Sequence, residues 1–301
     1  MNYYNEIKNK LIDNEVYKRV KDYSKNRNDL STYYEVGKLL IEAQGGEDRA
    51  KYGDGLIKEY SIKLTNEMGK KYDITILKRM RQFYLLILKG ATMSHQLNWS
   101  HYVEILKFND INEINYYIYI TESYNLSVRE LRERIKNKEY QRLDDNTKLK
   151  LVNKEELDIR DSIKNPIVIK DRLGIDKENI SERILKDLIL EDLDNFLLEL
   201  GEGFTYIRNE YKIKIGNTYN YIDLLLFNYI YNCFIVIELK VCELKKEHIG
   251  QIEVYMNYID KHIKSINQDK TIGIIISRRN NNYYIEYSSD KRILTREYIL
   301  T

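Results

Sequence analysis

Apolar residues recur at helical spacing through the first half of the chain and give way to short β-branched runs in the second. Ile7, Leu11, Ile12, Val16 and Val20 mark a helix over 6–22, and a second helix covers Tyr33 to Ala43, closed by Gly45-Gly46. A third segment starts near Tyr52-Gly53-Asp54-Gly55 and runs through Leu64. Gly69 interrupts it, and Asp73 caps a further helix that reaches Leu88. Asn125-Leu126-Ser127 supplies another cap before a helix over Val128 to Arg142.

Residues 144–165 are polar and weakly periodic, and read as a connection between domains with Pro166 at its far end. A helix from Ser181 to Leu200 then ends at Gly201. Strand-like runs follow at 204–215, 221–227 and 233–240, then a helix over Lys246 to Ile266 and an apolar strand over 271–276. That order predicts an α/β module in which helices cover a mixed sheet. The fold class is therefore α+β overall: an all-α domain over 1–143, a linker over 144–165 and an α/β domain over 166–301.

Composition narrows the setting. No apolar run among the 301 residues is long enough to cross a bilayer, and the first residues lack the basic start and apolar stretch of a secretory signal. Cys233 and Cys242 lack zinc-site spacing and read as buried free thiols, which fits a reducing cytoplasm. The 28 tyrosines accompany abundant Asn, Ile and Lys, the codon signature of an AT-rich genome, and are not read as a base-stacking surface. Residues 1–150 hold 27 basic against 22 acidic side chains, while the remainder holds 22 against 25, a small bias toward nucleic acid in the first half.

The chemistry gathers in the second half. Asp223 lies in the run Tyr221–Phe227, and Glu238-Leu239-Lys240 closes the run that begins at Cys233. A hairpin of these two strands brings both carboxylates together, where they repel unless a cation bridges them. Mg²⁺, with Mn²⁺ as a substitute, prefers such oxygen ligands, and the Leu239 carbonyl is a further candidate. Lys240 shares a strand face with Glu238, placed to orient a water or hold transition-state charge. Gln251, early in the following helix, could hydrogen-bond the water or a phosphate. On residue types alone, the trio is equally compatible with a structural ion pair at a strand end.

In the first half, Leu56–Leu64, the break at Gly69 and Ile74–Tyr84 form a helix-turn-helix-like unit. Its second helix would project Thr75, Lys78, Arg79 and Gln82 toward phosphates and base edges, with Lys71 adding charge before it. Arg129, Arg132, Arg134, Lys136 and Lys138 alternate with Glu130, Glu133 and Glu139, a pattern of i,i+4 pairing. Trp99-Ser100-His101 reads as a core anchor followed by a helix cap, since no acid is spaced to orient the imidazole.

The stretch from Phe196 to Phe204, with Asp223, Ile237-Glu238-Leu239-Lys240 and Gly250-Gln251, resembles the PD-(D/E)xK nuclease domain of the YhcG-like family. The first half resembles that family's amino-terminal domain at Tyr52–Ile57, Met80–Tyr84, Gln96–Tyr102 and Ser127–Leu131. The resemblance covers most of the chain, with its motifs in order. It implies a restriction-endonuclease-like fold, a divalent metal held by Asp223 and Glu238, Lys240 and Gln251 as their companions, and DNA as substrate. The chain departs from the family at two places. Leu185-Lys186 stands where relatives carry Leu-Glu, leaving Glu182, one turn earlier, as a possible substitute carboxylate, and Asn209-Glu210 stands where relatives show Arg-Gln.

The expectation is a cytoplasmic, Mg²⁺-dependent DNA endonuclease, working as a homodimer without a small-molecule cofactor or a membrane. Duplex, phage and branched DNA remain equally open as substrates, in repair or in defence. Two rivals stand beside it: a DNA- or partner-binding protein whose nuclease site has decayed, and an RNA endonuclease acting as a toxin.

Overall fold

The structure, a computed structural model, describes residues 2–20, 25–46, 54–94, 96–171, 174, 180–279 and 290–301. It divides into two compact units, Met1–Tyr140 and Gln141–Thr301. No helix among the described residues is long and apolar enough to cross a membrane.

The first unit is helical: α1 (Tyr3–Val20), α2 (Lys25–Ala43), α3 (Asp54–Met68), α4 (Ile74–Leu88), α5 (Trp99–Ile105), α6 (Ile111–Ser123) and α7 (Val128–Lys136). Tyr52 and Gly53, expected at the start of α3, lie outside the described residues. Ile7, Leu11, Val36, Leu40, Ile57, Leu64, Leu77 and Met80 form one apolar core. The close approach of α2 to α4 depends on Gly37, where an added Cβ would lie 2.2 Å from the Met80 carbonyl oxygen. Asp73 caps α4 by accepting from the Ile76 amide, as its position before an apolar-periodic run requires.

Two local expectations need correction. Asn98, not Ser100, caps α5: its side chain accepts from the His101 amide while the Asn98 amide donates to His101 Nδ1. The helix capped by Ser127 ends at Lys136 rather than at Arg142, and a separate 3₁₀ turn follows over Tyr140–Arg142. Arg132 reaches Glu104 at 2.6 Å and Arg134 reaches Glu139 at 3.2 Å, partners that lie outside this helix.

In the second unit, α8 (Asp145–Asn153), α9 (Ile159–Ser162) and β1 (Ile167–Ile169) precede α10 (Glu182–Glu191) and α11 (Leu193–Leu200). Then come β2 (Phe204–Ile215), β3 (Thr218–Asn228), β4 (Cys233–Glu243), α12 (Lys246–His262), β5 (Asp269–Arg279) and β6 (Ile293–Leu300). The strands form one sheet in the order β1-β6-β5-β4-β3-β2. β2, β3 and β4 run antiparallel as a meander, whereas β4, β5, β6 and β1 are mutually parallel, with α12 as the crossover from β4 to β5.

Leu185, Leu188, Ile189, Phe196 and Leu200 of α10 and α11 cover one sheet face, over Leu224, Leu226, Ile235 and Ile237. Ile252, Tyr255, Met256 and Ile259 of α12 cover the other, over Leu225, Val236 and Ile275. α12 lies close because β5 carries Gly273, where a Cβ would meet Met256 Sδ at 2.5 Å.

The stretch read as a linker contains α8 and α9, and its polar residues are tied down. Asp161 takes Lys150 at 2.8 Å and Thr147 at 3.1 Å, while the buried Lys164 ammonium donates to the Leu198 carbonyl. Arg142 grips Glu199 through both guanidinium nitrogens, and Arg296 of β6 donates to Ile163 and Asp144. Cys233 is buried, but Cys242 is exposed, because β4 runs past the core as its pairing with β5 shifts register after Lys240.

Candidate active site

β3 and β4 pair Leu224 with Ile237, so the next register position sets Asp223 opposite Glu238 at the end of the ladder. Both runs are almost wholly apolar, which buries the strands and carries the acids in with them. Asp223 Oδ2 accepts from the Leu239 amide at 2.9 Å, fixing the carboxylate against the neighbouring strand. Glu238 is 2% exposed, and its Oε1 has no hydrogen-bond partner. Burial, aided by the charge of Asp223, pushes the Glu238 carboxyl up to about 8, with Lys240 opposing the rise.

Lys240 is also buried, 3.3 Å from Glu238 Oε2, on the same strand face as the period of two requires. Its ammonium lies 3.8 Å from Glu182 Oε2 at the start of α10, so Glu182 does reach this neighbourhood, by way of the lysine. Burial alone would lower the Lys240 pKa, but the surrounding carboxylates, Glu238 foremost, hold it above its usual value.

The two residues that depart from the family pattern meet in space. Lys186 of α10 forms an ion pair with Glu210 of β2 and lies 3.5 Å from Asp223 Oδ1. The pairs Asn209–Leu224 and Tyr211–Ile222 flank Glu210 and set it opposite Asp223, and Glu210 itself adopts a left-handed backbone, φ +48°. Nothing in the sequence placed these two residues together.

Gln251 stands on α12, its Nε2 donating to the Tyr255 hydroxyl at 3.0 Å. Tyr255 is buried, and burial raises its pKa. Sequence reasoning passed over this tyrosine, although its i,i+4 spacing from Gln251 was the available signal. On α4, Thr75, Lys78, Arg79 and Gln82 share the i, i+3, i+4, i+7 spacing of one helix face, Thr75 and Gln82 being exposed. Lys71 stands apart from them in the preceding 3₁₀ turn, 2.7 Å from Glu15 and over the Tyr72 ring.

Among the described residues, no three His, Cys, Asp or Glu side chains converge as a ready metal cage. Mg²⁺ does not require one, since it keeps several waters and takes only one or two carboxylates from its protein. Asp223 and Glu238 fit that demand. Both are hard oxygen donors, they repel one another, and Glu238 Oε1 is a buried acceptor without a donor.

The nuclease half of the chain, residues 160–301, matches the YhcG PDDEXK nuclease domain, and residues 9–142 match the DUF1016 N-terminal domain. "Putative nuclease YhcG" of Escherichia coli (strain K12) is 27% identical over 283 residues, covering 82% of this chain and 76% of that protein. Among solved structures, a repair endonuclease from Pyrococcus abyssi aligns at 20% identity and a TM-score of 0.30, over 40% of this chain and 47% of that one. The EndoMS–dsDNA complex aligns at 19% identity and a TM-score of 0.31, over 42% and 46%. This chain thus spans under half the length of either solved protein. With a nuclease domain of the PDDEXK superfamily following the helical DUF1016 domain, the chain belongs to the YhcG-like nucleases.

Proposed function

We propose that this protein is a Mg²⁺-dependent endonuclease that hydrolyses phosphodiester bonds in DNA, with Mn²⁺ as a working substitute and a homodimer as the active form. The observation that carries the reading is the opposition of Asp223 and Glu238 across β3 and β4, with a buried Glu238 oxygen left without a donor and Lys240 beside it. Asp223 and Glu238, with the Leu239 carbonyl as a further donor, would hold a divalent cation, which would supply Lewis acidity for activating water and neutralising the scissile phosphate.

The side chains do the rest. Asp223 is oriented by the Leu239 amide, so its other oxygen, beside the Lys186 ammonium, keeps one direction. Lys240 supplies the positive charge that meets the developing oxyanion and orients the attacking water. Glu182 and Glu238 hold that lysine from two sides. Gln251, steadied by Tyr255, presents its amide oxygen as an acceptor for the water. In the helical domain, Thr75, Lys78, Arg79 and Gln82 grip the duplex along one face of α4.

A second reading has one observation in its favour: the Lys186 ammonium lies against Asp223, where it already neutralises the charge that a cation would use. That arrangement suits a decayed nuclease that only binds. Incubation of the purified chain with duplex, branched and single-stranded DNA and with RNA, with Mg²⁺, Mn²⁺ or EDTA, separates the readings. The proposal expects cation-dependent DNA cleavage. Binding without cleavage in either cation assigns the chain to the second reading, and cleavage confined to RNA removes the DNA assignment. Light scattering of the free chain tests the dimer.

A further inference from the structure

Around the opposed carboxylates each acid has a lysine on its outer side, and the one unbridged like-charge contact is between Asp223 and Glu238. Glu210 pairs with Lys186, Lys186 with Asp223, Asp223 faces Glu238, Glu238 pairs with Lys240, and Lys240 with Glu182. Lys240 stays on the strand beside Glu238, but Lys186 comes from α10, across the sheet face, on a long side chain with two carboxylates in reach. Glu210 holds it from the edge strand through a left-handed backbone that a side chain adopts only at a cost.

We propose that Lys186 is the resident counter-ion of this site. Its ammonium neutralises Asp223 in the metal-free protein and is exchanged for the incoming divalent cation, with Glu210 as the acceptor that draws it aside. This inference rests on the reading of Asp223 and Glu238 as the cation-binding pair. The second, independent sign of a cation position is Glu238 Oε1, which is buried and without a hydrogen-bond partner, whereas Lys186 pairs with Glu210 and Asp223.

The exchange has a definite consequence. A cation arriving at Asp223 must displace a like charge only 3.5 Å from the carboxylate, so the protein loads at a higher cation concentration than the carboxylate pair alone would need. Glu210 lowers that threshold, because it offers Lys186 a second partner of equal charge. Removing Lys186 therefore tightens cation binding, and removing the charge of Glu210 loosens it.

Binding of Mn²⁺ alone to the full chain, without nucleic acid, is the test, read as free Mn²⁺ by electron paramagnetic resonance. Lys186→Met is expected to tighten Mn²⁺ binding about tenfold or more, given a unit charge removed from beside the ligand. Lys186→Gln, which keeps a polar side chain, should do the same if the methionine variant fails to fold. Glu210→Gln is expected to weaken binding several-fold, and Lys186→Met/Glu210→Gln to bind as tightly as Lys186→Met. An unchanged or weaker affinity in both Lys186 variants overturns the proposal. A double variant that falls below Lys186→Met shows Glu210 holding the ion itself and overturns its role as acceptor. If wild type binds Mn²⁺ and Asp223→Asn abolishes binding, a failure at Lys186 refutes this inference alone. If no variant binds Mn²⁺, the metal reading of the site falls with it.

Discussion

Asp223 accepts a hydrogen bond from the amide of Leu239, so the strand that carries Glu238 and Lys240 also fixes the carboxylate opposite them. The amide lies between those two residues in sequence, and a shift of β4 against β3 would therefore disturb all three groups together. Asp223→Asn keeps an oxygen for the Leu239 amide and removes only the charge. Cleavage should fall by about a hundredfold or more. The unfolding midpoint in EDTA should stay nearly level, because the lost repulsion with Glu238 offsets the lost pairing with Lys186. A large drop in that midpoint would show that Asp223 serves the fold rather than the reaction.

Substitution of Lys240 distinguishes a role in chemistry from one in binding. The lysine is enclosed by Glu238 and Glu182 and lies beside the carboxylates rather than on an outer surface. Lys240→Met should lower the single-turnover cleavage rate by about a hundredfold or more, with DNA affinity changed only a few-fold. Lys240→Arg, which keeps the charge with a different shape, should recover part of the rate. An affinity loss as large as the rate loss would make Lys240 a substrate-binding group instead.

The three strands of the meander and α12 were legible because short apolar runs and an amphipathic helix each announce themselves locally. β6 and β1 were not. Ile293–Leu300 mixes Thr, Arg, Glu and Tyr with its apolar residues, and Ile167–Ile169 is only three residues long. These strands exist because β5 offers β6 a parallel neighbour and β6 then offers one to β1, a decision made by the sheet. Residues 144–165 read as a linker for a related reason: Lys164, Lys150 and Asp161 look solvent-bound in sequence, and only the folded unit shows their partners. At the site, spacing brought out Asp223, Glu238 and Lys240 as candidates, and only the family resemblance set them apart from a structural ion pair. The Lys186–Glu210 pair joins positions 24 residues apart, and no local rule connects them.

Arg142 and Glu199 form a buried pair that ties the start of the second unit to α11. Glu199 also takes the Val168 amide, and Arg142 donates to the Pro166 carbonyl, so the pair anchors β1 as well. Arg142→Met should cost about 3–5 kcal/mol, because it leaves a carboxylate buried without its partner. Arg142→Met/Glu199→Met should lose less than the single variant. Hydrogen exchange at Ile167–Ile169 and Leu193–Leu200 is the readout, since the only tryptophan, Trp99, lies in the other unit.

His101 gives the helical unit a pH dependence. Its Nδ1 accepts the Asn98 amide in the capping box of α5, a role open only to the unprotonated nitrogen. Burial holds its pKa below the usual imidazole value, with the Leu126 backbone pulling the other way. A depressed folded-state pKa means that the unfolded chain takes up the proton first as pH falls. The contribution is complete above the unfolded value of about 6.5 and is lost as pH drops through the lower folded value. His101→Gln keeps a capping acceptor but does not titrate. The loss of stability between pH 8 and pH 5, followed by Trp99 fluorescence, should be smaller in His101→Gln than in wild type.

The α4 face tests whether the helical unit meets the substrate. Arg79 and Gln82 are three residues apart on that face, and each predicts a different signature. A phosphate contact from Arg79 would make Arg79→Ala weaken binding to all duplexes alike and reduce the slope of log affinity against log salt by about one. A base-edge contact from Gln82 would make Gln82→Ala relax sequence preference while leaving the salt slope alone. Lys71, already paired with Glu15 and lying over Tyr72, has less charge to offer, and Lys71→Ala should change the slope by less than Arg79→Ala does. Equilibrium binding in EDTA across a salt series measures all three without cleavage. If Arg79→Ala leaves both affinity and slope unchanged, DNA recognition belongs to the nuclease unit and the α4 face has another task.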